Sequence, residues 1–325
     1  MSRKSLIILS LAAVSLFAIY KLSSGSFDWS LFLLSFRNVQ PAWLAASILA
    51  TLLTYVARAF RWQVLLNPLK PIAMGPLIST NVLGFSAIYL LGRPGELFRP
   101  LWLTRRENIP LTASVATIII ERFLDTLMLI ALFGLALLLV QLPSAAEHTV
   151  MLMKRAAWFM LASSAGVMIF LFFFRSNSDR IVRYVPLARI ASLLKNFSAG
   201  LSFLDRGSSL ALVMAHSFLL WIVISLSFWF MILGMHFQFS FQAATLVMVG
   251  SAIGSVAQLP GIGGGFQAGY VFCMSTFFSV PPEQAIATSL VAWVASYAPT
   301  VVAGGLYMIS QGLSWKDLRT APVTD

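Results

Sequence analysis

Leu91-Gly92-Arg93-Pro94-Gly95-Glu96-Leu97-Phe98-Arg99-Pro100 interrupts a run, residues 74–104, that is otherwise largely apolar on both sides. Proline removes a backbone donor and clashes with the preceding turn, and glycine costs about 1 kcal/mol against alanine inside a helix. The stretch therefore predicts two half-helices meeting at a turn, each too short to cross a bilayer alone. If its flanks lie in lipid, such a hairpin must be sheltered by protein or water.

Composition places the flanks in lipid. The 325 residues are 59% hydrophobic and only 10% charged, and mean hydropathy is +0.86. A soluble surface needs many more ionisable groups. Continuous apolar runs exclude a β-barrel, whose strands alternate apolar and polar residues. A net charge of +11 would suggest nucleic acid in a soluble chain, but here the basic residues sit mostly in short connections, the pattern that orients membrane proteins. The single Cys273 lies in an apolar run and reads as a small core residue.

Apolar runs at about 6–22, 42–60, 111–140, 156–174, 208–235 and 284–311 read as spans, the first as an uncleaved helix. A second run, 243–280, is broken at Pro260, Gly261, Gly263, Gly264 and Gly265. The expected fold is thus an all-α polytopic membrane protein with about six spanning helices and two re-entrant hairpins. Both termini fall on the cytoplasmic side if each hairpin returns to the side it enters from. Arg3, Lys4, Arg58, Arg61, Lys70, Arg105, Arg106, Arg175, Arg180, Arg183, Arg189, Lys195, Arg206, Lys316 and Arg319 are then inside, and only Lys21, Arg37, Lys154 and Arg155 outside. Treating either hairpin as a full crossing would destroy this bias.

The chain reads as one membrane domain, 1–325. Within it, 42–140 (hairpin 74–104) and 208–312 (hairpin 243–280) repeat a helix, a broken hairpin and a helix in opposite orientations, an inverted repeat. Between them, 178–206 is a cytoplasmic amphipathic segment: Ile190, Leu194, Phe197, Leu201 and Leu204 recur at helical spacing among basic residues. It is either a surface helix on anionic headgroups or a linker packed on the protein. Trp43, Trp62, Trp102, Trp158, Trp229 and Trp315 fall near span boundaries, where tryptophan anchors helices.

Arg93, Glu96 and Arg99 sit in the first hairpin, and the next span adds Glu121, Arg122 and Asp125. One charge at the centre of a span costs about 2.5–3.5 kcal/mol on insertion scales. Six therefore demand pairing or water. Their signs cancel, and spacings of three and four bring Glu121, Arg122 and Asp125 to one helix edge. A polar cluster between hairpin and helix follows, with N–H groups near Gly95 aimed at it, a seat for a phosphate beside Arg93 and Arg99, while Glu96, Glu121 and Asp125 could complement an amine headgroup or take up a coupling proton. The alternative is a self-neutralising ion network that touches no substrate. The second hairpin carries no charge; its glycines allow close backbone approach or tight packing. No lysine of a phosphate-binding loop follows, and the three histidines have no ligand spacing.

Gly92-Arg93-Pro94-Gly95-Glu96 with Arg99, then Glu121-Arg122 with Asp125, then Pro260-Gly261 with Gly264, together resemble the flippase-type membrane family related to the transmembrane domain of bacterial lysyl-phosphatidylglycerol synthases. The likeness covers nearly the whole chain. It implies a lipid-translocating domain without the soluble aminoacyl-transferase domain, and adds Pro260, Gly261, Gly264 and Gln267 to the substrate-binding residues. The family commonly has a glutamate where this sequence has Gln267.

The expectation is a transporter, not an enzyme, with no cofactor, metal or nucleic-acid partner. It would move a phosphate-bearing phospholipid or polyprenyl-phosphate lipid across a bacterial inner membrane, with membrane lipids as substrate; a homodimer is possible. The alternatives are an intramembrane lipid-linked transferase and a scaffold for one.

Overall fold

The computed structural model describes residues 27–37, 39–140, 147–187, 190, 191, 194, 195, 197, 198, 201–259 and 263–312. The first expected span, 6–22, together with Pro260, Gly261, Arg189, Trp315 and the C-terminal tail, lies outside the described residues, as does the side chain of Arg93.

The described residues form helices α1 (Trp29–Arg37), α2 (Pro41–Leu66), α3 (Met74–Leu91), α4 (Phe98–Glu107), α5 (Leu111–Leu139), α6 (Glu147–Ser176), α7 (Ser178–Arg183), α8 (Gly207–Gly234), α9 (Phe241–Gly254), α10 (Gly265–Phe278) and α11 (Pro282–Ser310). A 3₁₀ turn, Arg93–Leu97, joins α3 to α4, and two-residue antiparallel strands, Gln258–Leu259 and Gly263–Gly264, face each other between α9 and α10. Proline opens α2 and α11 at positions where its missing N–H has no helical partner, and the Ser240 hydroxyl accepts from Ala243 N at 3.2 Å to cap α9.

Among the described residues, six helices are long and apolar enough to cross a membrane: Pro41–Leu66, Met74–Leu91, Ala113–Leu139, Lys154–Ser176, Gly207–Gly234 and Pro282–Ser310. Met74–Leu91 corrects the expectation that both halves of the first hairpin are short. Its 18 residues rise about 27 Å at 1.5 Å each, because the first helix-breaking residue is Gly92, which ends α3 at φ 73°. The partners α4, of 10 residues, and α9 and α10, of 14 each, fall short of the roughly 20 needed to cross.

Packing follows a reciprocal plan. The most extensive helix contact is between α2 and α8, where the Ser47 hydroxyl donates to Ser227 O at 2.8 Å. Helix α3 folds back on α4 and also packs on α11; α9 folds back on α10 and also packs on α5. Ser86 donates to Thr300 O at 2.8 Å across the α3–α11 contact. The two fold-back helices even end alike: Asn108 (φ 52°) and Ser279 (φ 54°) adopt the left-handed conformation, each two residues before a proline that caps the next long helix.

The largest apolar core gathers Phe228, Met231 and Ile232 of α8, Val247 and Met248 of α9, and Phe266, Tyr270 and Met274 of α10. A second joins Leu65, Ile120, Leu124, Leu171 and Val213 to Leu201 and Leu204, with Leu194 and Phe197 packed against it. The apolar side of the 178–206 segment is thus folded onto α2, α5, α6 and α8, the packed-linker alternative for those residues, while Ile190 stays exposed. Helix α6 turns Phe159, Ile169, Phe170, Phe172 and Phe173 outward.

Candidate functional site

Three helices each bring arginine or carboxylate to one point. Arg58 and Arg61 lie three apart on α2, Arg99 opens α4, and Glu121, Arg122 and Asp125 lie on α5. Arg61 donates from Nη1 to Asp125 Oδ1 at 2.6 Å, and its Nη2 is 3.5 Å from Glu121 Oε1. Arg99 Nη2 lies 2.8 Å from Glu121 Oε2. Arg58 and Arg122 each approach Asp125 Oδ2 at 3.7 Å, and Arg122 Nε is 3.9 Å from Glu96 Oε1 in the 3₁₀ turn.

Aromatic faces complete the seat. The Arg99 guanidinium lies 4.5 Å above the Trp62 ring and the Arg58 guanidinium 4.5 Å above Phe85, contacts that favour a cation already stripped of water. Trp62 is fully buried and donates from Nε1 to Thr117 at 3.0 Å. Its expected role as an interfacial anchor is therefore corrected, because α2 continues past it to Leu66 and carries it inside. Trp158, by contrast, is exposed on α6.

Gly84 and Gly95 make room for this arrangement. A Cβ on Gly84 would sit 1.9 Å from Arg99 Cγ, so the arginine stem crosses α3 where a side chain is absent. A Cβ on Gly95 would meet the Ala87 carbonyl carbon and oxygen at 2.4 Å, so the 3₁₀ turn lies on the backbone of α3.

Beside the cluster opens a cavity of about 470 Å³. One part is lined by Arg58, Glu96, Arg122 and Asp125; another by Leu129, Trp221, Ile224, Phe228, Met248 and Phe266; Thr51, Thr54, Tyr55, Tyr89, Ser296 and Tyr297 add hydroxyls between α2, α3 and α11. Tyr55 is 2.7 Å from the Thr300 hydroxyl and 3.4 Å from that of Tyr89, whose ring stacks on Tyr297 at 4.0 Å. The walls thus combine charge, hydroxyls and hydrocarbon, the needs of an amphiphile.

Of the residues expected from sequence, Glu96, Arg99, Glu121, Arg122 and Asp125 meet as one network, with Glu96, Arg122 and Asp125 reaching the cavity and Arg99 and Glu121 behind them. Gly95 belongs to the turn, but its N–H is bonded to Gly92 O at 2.9 Å, so packing occupies it. Gly264, at φ 86°, donates its N–H to Gln267 Oε1 at 2.7 Å. That bond caps α10, which enters the cavity wall through Phe266.

Arg58 and Arg61 were missed as site residues. Both lie inside helix α2 rather than in a connection, with the Arg61 side chain fully buried and that of Arg58 12% exposed. The signal was their spacing of three, which puts both on one helix face, six residues or more before any helix-ending proline.

A profile of the lysylphosphatidylglycerol synthase TM region matches residues 7–304. The chain belongs to that family. It is also 20% identical to the UPF0104 membrane protein of Methanocaldococcus jannaschii, a match that takes in 84% of this chain and 85% of the archaeal protein. With six membrane-length apolar helices among its described residues, this member of the lysylphosphatidylglycerol synthase TM-region family is a multi-pass membrane protein. Every residue of the ion network falls within the matched span.

Proposed function

We propose that the protein is a lipid flippase that moves a phosphate-bearing lipid across an inner membrane and catalyses no covalent step. The observation that carries this reading is the cavity, in which Arg58 and Arg122 stand at one part of the wall and hydrocarbon side chains at another. A phosphate binds the arginines, and acyl or prenyl chain follows the apolar wall into lipid.

The reciprocal packing of α3 on α11 and α9 on α5, and the matching left-handed caps at Asn108 and Ser279, support an inverted repeat with two re-entrant hairpins. Opposed repeats around a shared cavity supply alternating access. Arg175, Arg180, Arg183 and Arg206 cluster where α6 gives way to α8, which supports a cytoplasmic position for that end and, with it, cytoplasmic termini. In this reading membrane lipids are the substrates and two copies can pair.

The test is reconstitution into liposomes with acyl-labelled phosphatidylglycerol, scoring leaflet exchange by dithionite quenching. Arg122→Gln lowers the exchange rate at least about tenfold, equivalent to the loss of one charge-assisted contact of about 1.4 kcal/mol, while melting temperature in detergent stays near wild type. Exchange at the rate of empty liposomes with wild-type protein, or full exchange with a stable Arg122→Gln variant, defeats the reading.

A further inference from the structure

Among the described residues, the charges around the cavity do not cancel. Four arginines, Arg58, Arg61, Arg99 and Arg122, meet three carboxylates, Glu96, Glu121 and Asp125. Asp125 is shared by Arg58, Arg61 and Arg122, and Glu121 by Arg61 and Arg99. Both are buried. Glu96 faces Arg122. The second fold-back unit supplies no compensation: residues 241–279 include no charged side chain, and Gln267 holds the N-terminus of α10.

An entering amine would meet carboxylates already held by guanidinium groups, inside a surplus of like charge. In a site of low dielectric that juxtaposition is costly. An entering anion of one charge neutralises the surplus. Next to Arg58 on α2, the Thr51 and Thr54 hydroxyls donate to Ser47 O at 3.0 Å and Thr51 O at 2.6 Å, which leaves their oxygens as acceptors for a ligand hydroxyl.

We propose that this cavity selects lipids whose headgroup is a singly negative phosphodiester bearing free hydroxyls, a phosphate-linked polyol or sugar, and rejects headgroups bearing an amine. This rests on the reading of the cavity as a lipid site, and it separates this chain from the aminoacylated lipid in its family's name.

The experiment titrates the full-length protein in detergent with short-chain phosphatidylglycerol, phosphatidylmethanol, phosphatidylethanolamine, lysylphosphatidylglycerol and a polyprenyl-phosphate hexose, reading thermal shift. Phosphatidylglycerol or the hexose lipid binds at least about tenfold more tightly than the two amine lipids, and which of the two binds better identifies the source of the headgroup. Phosphatidylmethanol, with the same charge and no hydroxyl, falls between. Arg58→Gln narrows the preference; if that variant does not fold, Arg122→Gln, at a side chain 35% exposed, replaces it.

An amine lipid within about threefold of phosphatidylglycerol overturns the charge argument, and phosphatidylmethanol equal to phosphatidylglycerol overturns the hydroxyl argument. Liposome exchange separates this from the transport reading. Selective binding without exchange ends the transport reading and leaves the selectivity; exchange of charged and amine lipids alike does the reverse.

Discussion

Arg99 and Glu121 meet at 2.8 Å between α4 and α5, with both side chains at 1% exposure or less. The pair fastens the fold-back helix α4 to the long helix that follows it. Removing one partner leaves a charge without water or counter-ion, the situation in which ion pairs matter most.

Glu121→Gln should therefore lower stability by about 3–5 kcal/mol, because it strands Arg99 and half of the Arg61 fork. Melting in detergent with a circular dichroism readout checks this. The double variant Glu121→Gln with Arg99→Met should recover part of the loss, and no recovery would mean the pair is not the cause.

Gly95→Ala should destabilise by about 1–3 kcal/mol, since its Cβ would overlap the Ala87 backbone and push the 3₁₀ turn off α3. Gly75→Ala provides the control, because nothing lies within 4 Å of a Cβ there. Equal melting temperatures for the two variants would contradict the close contact.

Ala252 lines the apolar part of the cavity. Replacing it with tryptophan fills the space without touching an ion pair, so Ala252→Trp should abolish lipid exchange in liposomes while melting within a few degrees of wild type. Undiminished exchange in a stable variant would move the lipid path elsewhere.

Acid sensitivity should appear at the junction of α6 with the segment before α8. Arg175 Nε donates to Asp205 Oδ1 at 2.9 Å, and its fork holds the Asp205 carboxyl below its ordinary value of 3.8. A lowered folded value means the stabilisation is complete above pH 3.8 and fades as pH falls through the folded value. Because Asp205 is 48% exposed, the pair contributes under about 1 kcal/mol. Asp205→Asn should cost that small amount at pH 7 and less at pH 2, measured by thermal melting at both.

Much of this was legible in the chain. The break at Gly92 to Pro100, the second break near Gly263, and the three charges of α5 are all set by local chemistry that sequence displays directly. The spacing of Arg58 and Arg61 placed them on one helix face, but nothing local named Asp125 as their partner, because helix end and helix interior look alike where an apolar run shades into a basic one. Trp62 misled for the same reason. Gly84 gave no sign at all: its importance comes from an arginine fifteen positions later crossing α3, a tertiary contact with no local signature.

The cluster also imposes an order on how this chain is made. Helix α4 carries Arg99, Arg105, Arg106 and Glu107 in ten residues and is poorly suited to lipid on its own. Its buried counter-charge, Glu121, belongs to a helix that leaves the ribosome later. Until α5 arrives, Arg99 has nowhere dry to go, so α4 must wait at the interface or in the insertion machinery and settle only when its neighbour does. A nascent chain halted before residue 121 should accordingly leave α4 open to aqueous labelling reagents, and one halted after α5 should close it off.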